Sequence, residues 1–216
     1  VYEGPFPLSE SGVHLLEFRS GNAEGAQEAT KSATIRIDNT APSLALLWNS
    51  EPAPAVMELP DSRKVRFEAA VEDAHSGTAE TAVFIDGAPY HGETLDFAGR
   101  TGAYTVLVTA VDRAGNTAEK TYTLRVTTSI DAMRELLAAY VDDGLVRGPL
   151  VNQLTNSLDQ AAHHLAHGRY RQAAHHLELF LDHLNRPPMQ RHIDEPAKSV
   201  LAADAETVLG ELRERQ

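Results

Sequence analysis

The hydrophobic pattern of this 216-residue chain changes period once, near Thr128, and that change limits it to an all-β part followed by an all-α part. Before it, residues 64–69, 81–86, 103–108 and 121–126 alternate or form short runs of β-branched and aromatic residues. Asp86-Gly87, His75-Ser76-Gly77, residues 99–102 and residues 112–116 lie between them, with Gly and Asn placed to take positive φ. Short strands at this spacing predict an antiparallel β-sandwich. From Ser129 the period is helical. Ser129 or Asp131 caps a helix to about Asp142 that presents Met133, Leu136, Leu137 and Tyr140. Pro149 opens a second, with Leu150, Leu154, Leu158, Ala161 and Leu165. A third covers residues 169–185 with Tyr170, Ala173, Leu177, Phe180 and Leu184, and Pro187-Pro188 stops it. The fourth starts near Pro196 and presents Leu201, Ala205, Val208 and Leu212. Four short amphipathic helices with brief connections predict a small antiparallel bundle.

The β part repeats itself. A shift of 90 residues lays Gly12 on Gly102 and Gly25 on Gly115, and a shift one residue shorter brings residues 34–37 onto 123–126. Tyr2-Glu3-Gly4 echoes Tyr90-His91-Gly92. The second copy continues upstream for about 50 residues that the first lacks. The expected divisions are therefore 1–40, the C-terminal half of a repeat; 41–127, a complete sandwich; and 129–216, a four-helix domain. Half a sandwich leaves strand edges unpaired, so residues 1–40 are expected to be poorly held or to pair with another chain. With Val1 in place of Met, the sequence reads as a piece of a longer chain.

Nineteen Lys and Arg against 31 Asp and Glu leave a net charge of −12, which provides no broad basic surface for nucleic acid or an anionic membrane. No apolar run approaches the roughly 20 residues that span a bilayer. The absence of cysteine excludes disulfides, thiolate metal sites and a cysteine nucleophile, and leaves stability to apolar burial. There is no Gly-x-Ser-x-Gly elbow, phosphate-cradling loop or dinucleotide fingerprint. The carboxylate pairs Asp142-Asp143 and Asp194-Glu195 fall at helix ends, where solvated charge or capping accounts for them. No catalytic residue and no required cofactor is expected.

Residues 2–14 through 35–42, ending Asp38-Asn39-Thr40-Ala41-Pro42, resemble the end of an immunoglobulin-like repeat of bacterial surface and secreted proteins. The second copy carries the likeness at residues 72–77, 84–87 and 112–116, whereas residues 22–26 of the first lack the Asp and Asn of the last motif. The helical part is similar to the FIMAH domain at residues 150–158, 168–173, 176–180, 183–185 and 202–205. Together the two resemblances imply an extracellular, non-catalytic accessory region, secreted or on the cell surface, whose parent is a polysaccharide-degrading enzyme. Its implied partners are other domains of that parent and, in a carbohydrate-binding alternative, a polysaccharide or cell-wall glycan. A calcium-rigidified adhesin stalk is a further alternative.

Three sets of residues are candidates for ligand chemistry. Junctions between such repeats can gather Asp38, Asp73 and Asp112 at one end, where hard oxygen ligands suit calcium; the competing use of Asp73 and Asp112 is to hold their own turns. Seven of ten histidines lie between His163 and His192, and His163 with His167 has the i, i+4 spacing of a transition-metal pair, without a third ligand fixed by sequence. One Trp, six Tyr and six Phe offer few flat faces for a sugar. Trp48, with Tyr90 and His91, is the candidate carbohydrate platform, against core burial on an alternating strand.

Overall fold

The computed structural model describes residues 3–215, so Val1, Gln216 and the Tyr2 of the repeated Tyr-Glu-Gly lie outside the described residues. The β part contains β1 (Gly12–Phe18), β2 (Lys31–Ile37), β3 (Ser43–Trp48), β4 (Glu51–Pro52), β5 (Val56–Pro60) and β6 (Lys64–Val65). It continues with β7 (Phe67–Glu72), β8 (Thr78–Ile85), β9 (Ala88–Tyr90), β10 (Leu95–Asp96), β11 (Gly102–Asp112) and β12 (Thr117–Thr127). Four helices follow: α1 (Ile130–Asp142), α2 (Pro149–Ala166), α3 (Tyr170–Asn185) and α4 (Ala197–Glu214). The chain is thus all-β followed by all-α. It forms two compact units, and β11 and β12 each contribute residues to both.

The first unit comprises the chain up to Ala53, Phe67–His91 and Val106–Thr121. Within it β1 and β2 form a separate antiparallel hairpin, in register from Gly12 opposite Ile37 to Phe18 opposite Lys31. Val13, Leu15 and Phe18 remain largely exposed on this hairpin. β3 lies between β4 and β7, and Leu46 and Phe67 are buried there. β8 pairs antiparallel with β11, from Ile85 opposite Val106 to Thr78 opposite Asp112, with an irregularity between Val111 and Asp112. Asp86 and Gly87 both take positive φ, the backbone required by a two-residue hairpin turn into β9.

The second unit comprises Pro54–Arg66, Gly92–Thr105 and Tyr122–Gln216, so several strand segments pack with the helices. β5 runs parallel to β12, from Val56 opposite Thr123 to Pro60 opposite Thr127, a departure from a wholly antiparallel sandwich. β6 pairs with β10. Ser129 caps α1, its side chain accepting from the Ala132 amide at 3.1 Å, and Pro149 sits in the first turn of α2. The expected stripes supply the core: Met133, Leu150, Leu154, Leu158, Ala161, Ala173, Leu177, Phe180, Leu184, Leu201 and Ala205 have no accessible surface. Ala98 packs against this cluster, Gly99 lies against Val200, and Arg63 and Ser62 bond Glu135 at 2.7 and 2.8 Å.

Candidate metal centre

Three segments of the first unit place carboxylates together. Asp38 follows β2, Asp73 follows β7, and Asp112 ends β11, and each is anchored by local backbone amides. Asp112, almost completely buried, accepts from Ala114 N at 2.9 Å and Asn116 N at 2.8 Å through Oδ1, and from Asn116 Nδ2 at 2.7 Å through Oδ2. Asp73 Oδ1 accepts from the amides of His75, Ser76 and Gly77 at 3.2, 2.9 and 2.6 Å. These are the Asx-type bonds that Asp makes at Gly-containing turns, so both residues do serve their turns.

Asp38 is bonded beyond its own segment. Its Oδ1 accepts from Thr40 N at 3.0 Å, and its Oδ2 from Ser76 N at 3.1 Å. The Asn116 side-chain amide also donates to the backbone carbonyls of Asp38 and Thr40, at 3.2 and 3.4 Å. The hydrogen bonds of Ser76 and of the Thr40 amide, with the nearby His75 imidazole, hold the Asp38 carboxyl below its ordinary value despite some desolvation.

One ligand oxygen from each of Asp38, Asp73 and Asp112 lies within 4.8 Å of the others. An ion held at the roughly 2.3–2.6 Å typical of calcium–oxygen bonds would place its ligands at about such separations. Three carboxylates on one partly buried point concentrate negative charge that backbone dipoles offset only in part, and an all-oxygen, anionic donor set fits calcium rather than a softer metal. The residues present therefore fit the ion.

The other candidate sets fare differently. His163 and His167 do meet, ring centroids 4.6 Å apart, with His167 Nδ1 2.8 Å from the His163 carbonyl oxygen. His164 adds a nearly parallel contact to His176 on α3 at 5.2 Å, a juxtaposition that helix spacing alone does not reveal. Among the described residues, only the aspartate trio brings three metal-type ligand atoms within reach of one another. Tyr90 is corrected as a sugar platform: it is 8% exposed, its hydroxyl accepts from Phe67 N at 3.0 Å, and its ring meets Phe67 edge-on at 6.0 Å. Its faces are used in the core. Trp48 is half-buried opposite Phe67 on the neighbouring strand, and His91 is exposed.

Asn116 escaped the sequence reading as a site residue. Its place four residues after Asp112 was the available signal, since an amide at that position can close the turn and still reach a third segment.

The family model of the FIMAH domain matches residues 130–210, and this domain is a small accessory one, not catalytic. A search of curated proteins finds no match to the chain. Among the described residues, no helix is long and apolar enough to cross a membrane.

Proposed function

We propose that this chain is a non-catalytic accessory region of a secreted or surface bacterial protein, acting as spacer and interaction module, and that calcium stiffens it at the Asp38–Asp73–Asp112 cluster. The convergence of these three carboxylates from separate segments carries the reading. Asp38 belongs to the connection between β2 and β3, while Asp73 and Asp112 belong to turns of the strands that follow. An ion shared by all three ties that connection to the turns and limits bending there. In this reading the strands are immunoglobulin-like modules, the first represented by its C-terminal half, and the helices form a terminal interaction module. The parent is a polysaccharide-degrading enzyme.

The test is a calorimetric titration of the chain with calcium after chelation, beside Asp73→Asn. That substitution removes a charge and keeps the oxygen that holds the His75, Ser76 and Gly77 amides. One saturable site of about 10⁻⁴–10⁻³ M, the range of extracellular modules, is expected in the parent chain and a much weaker one in the variant. No saturable heat would remove calcium from the reading. Retention on a polysaccharide panel, lost on Trp48→Ala, would replace the spacer by a carbohydrate-targeting module.

A further inference from the structure

Asp61 and Asp204 are buried together in the second unit, at 1% and 0% exposure. Asp61 begins the turn between β5 and β6, with its amide donating to the Thr127 carbonyl at 2.8 Å. Asp204 lies on the buried side of α4 with Leu201, Ala205 and Val208. The two carboxyl groups are within hydrogen-bonding reach of each other, yet none of their four oxygens meets a donor. Two adjacent ionised carboxylates without a donor or counter-ion are among the most costly groups a protein interior can hold. Something positive must lie between them.

No basic side chain supplies it. Arg63, two residues beyond Asp61, is engaged by Glu135 at 2.7 Å. The other titratable groups acting on this corner are acidic or neutral: Asp96 of β10, Tyr140 of α1 and Asp143 at the end of α1. Burial first, and then the carboxylates around it, push the Tyr140 hydroxyl up to about 12. A divalent metal is poorly served here, because only two side-chain ligand groups converge, whereas calcium takes six to eight oxygens. A proton needs just the two facing oxygens.

We infer that Asp61 and Asp204 form a proton-binding site, in which Asp204 carries one proton, donates it to Asp61, and so fastens α4 to the β5–β6 turn. Burial, followed by the Asp61 carboxyl, raises the Asp204 group to about 8. The unfolded chain would release this proton near the ordinary 3.8. Between those values the folded chain holds one proton more, so the stabilisation is complete below the lower value, declines as pH rises, and is gone above the upper one. Within that window each pH unit changes the folding constant about tenfold. His164, His176 and His183 lie below their ordinary 6.5, chiefly through burial, and act in the opposite sense: unfolded, each takes up about a quarter of a proton at pH 7 and very little by pH 8. The difference between the wild type and Asp204→Asn, in which the histidines cancel, therefore isolates the pair.

The experiment unfolds the full chain with denaturant at pH 7 in weak buffer and counts protons with an indicator dye. The wild type should release about one proton per chain more than Asp204→Asn, since the histidine uptake is common to both. An equal proton change in the two chains overturns the assignment. Should Asp204→Asn fail to fold, infrared spectra of the wild type decide: a protonated-carboxyl carbonyl band at pH 7 that fades above about pH 8 is expected, and its absence at pH 7 overturns the proposal. Addition of calcium separates the remaining explanation. A calcium-dependent rise in helix stability that Asp204→Asn removes would make the bound species a metal ion instead of a proton.

Discussion

Asp38 accepts a hydrogen bond from the Ser76 backbone amide at 3.1 Å, across 38 residues of chain. The same amide donates to Asp73 at 2.9 Å, so one N–H is shared between the β2–β3 connection and the turn after β7. Neither aspartate can move without disturbing the other's partner. This shared donor joins two of the three carboxylates, and the Asn116 side chain, bonded to both Asp112 and the Asp38 carbonyl, joins the third to them.

Asp112 is the member of the trio whose loss should cost most in stability, because it is buried and closes its turn through three bonds. Asp112→Ala leaves the Ala114 and Asn116 amides without an acceptor and is expected to destabilise the chain by about 2–3 kcal/mol, read from the denaturant midpoint. Asp112→Asn keeps an amide oxygen for those donors and should cost clearly less while still weakening calcium binding. Equal losses from the two variants would mean that charge, and not turn closure, dominates at this position.

The core of the helical region gives a second expectation. Leu158 and Phe180 have no accessible surface, and replacing either by Ala removes apolar burial and leaves a cavity. Each should lower stability by about 3–5 kcal/mol, measured as loss of helical circular dichroism in denaturant. A loss under about 1 kcal/mol would contradict the packing described.

Gly148 is placed by more than helix initiation. It takes φ +62°, and a Cβ there would lie 2.8 Å from His192 Nδ1. Its neighbour Arg147 donates to the His192 carbonyl at 2.9 Å, and Val146 bridges Ile193, so the connection into α2 is held against the short 3₁₀ turn after α3. Gly148→Ala combines backbone strain with a steric conflict and should cost about 1–3 kcal/mol. His192→Ala in the same chain relieves the conflict and should recover part of that loss; no recovery would place the whole effect in the backbone.

Arg147 also pairs with Asp194 at 2.6 Å, and the hydrogen bond holds the Asp194 carboxyl below its ordinary 3.8. A lowered folded-state value means that the contribution is present above the ordinary value and lost as pH falls through the folded one. Both side chains are about half exposed, so the effect is small and screened by salt. Arg147→Ala should lower stability slightly near neutral pH at low ionic strength, with the difference vanishing at acid pH, and hardly at all in high salt. A large, salt-independent change would contradict a surface pair.

Helices were legible because each carries its own period and stops. The Ser129 cap, Pro149 and the Leu150-Leu154-Leu158 stripe specify position and inward face from within a single segment. Strand content was legible for the same reason, but the parallel pairing of β5 with β12 was not, since residues 56–60 carry no mark of a partner at residues 123–127. The Asp38, Asp73 and Asp112 grouping was foreseeable only through the order of strands expected from a resemblance. Tyr90 shows the limit of composition: it stands with Trp48 and His91 as a candidate carbohydrate platform, yet its hydroxyl finds the Phe67 amide and its ring finds the Phe67 ring. The Asp61–Asp204 contact left no sequence signal, because one residue lies in a turn and the other on an otherwise ordinary amphipathic helix.

Amide hydrogen exchange with calcium and with chelator tests the central claim most directly, read at residues 38–40, 73–77 and 112–116 together. Calcium is expected to slow exchange in all three segments at once, with Thr40, Ser76, Gly77 and Asn116 protected in parallel, and Asp73→Asn should abolish the common response. Identical exchange in the two conditions, or protection confined to one segment, would contradict a calcium-clamped spacer and leave three self-contained turns.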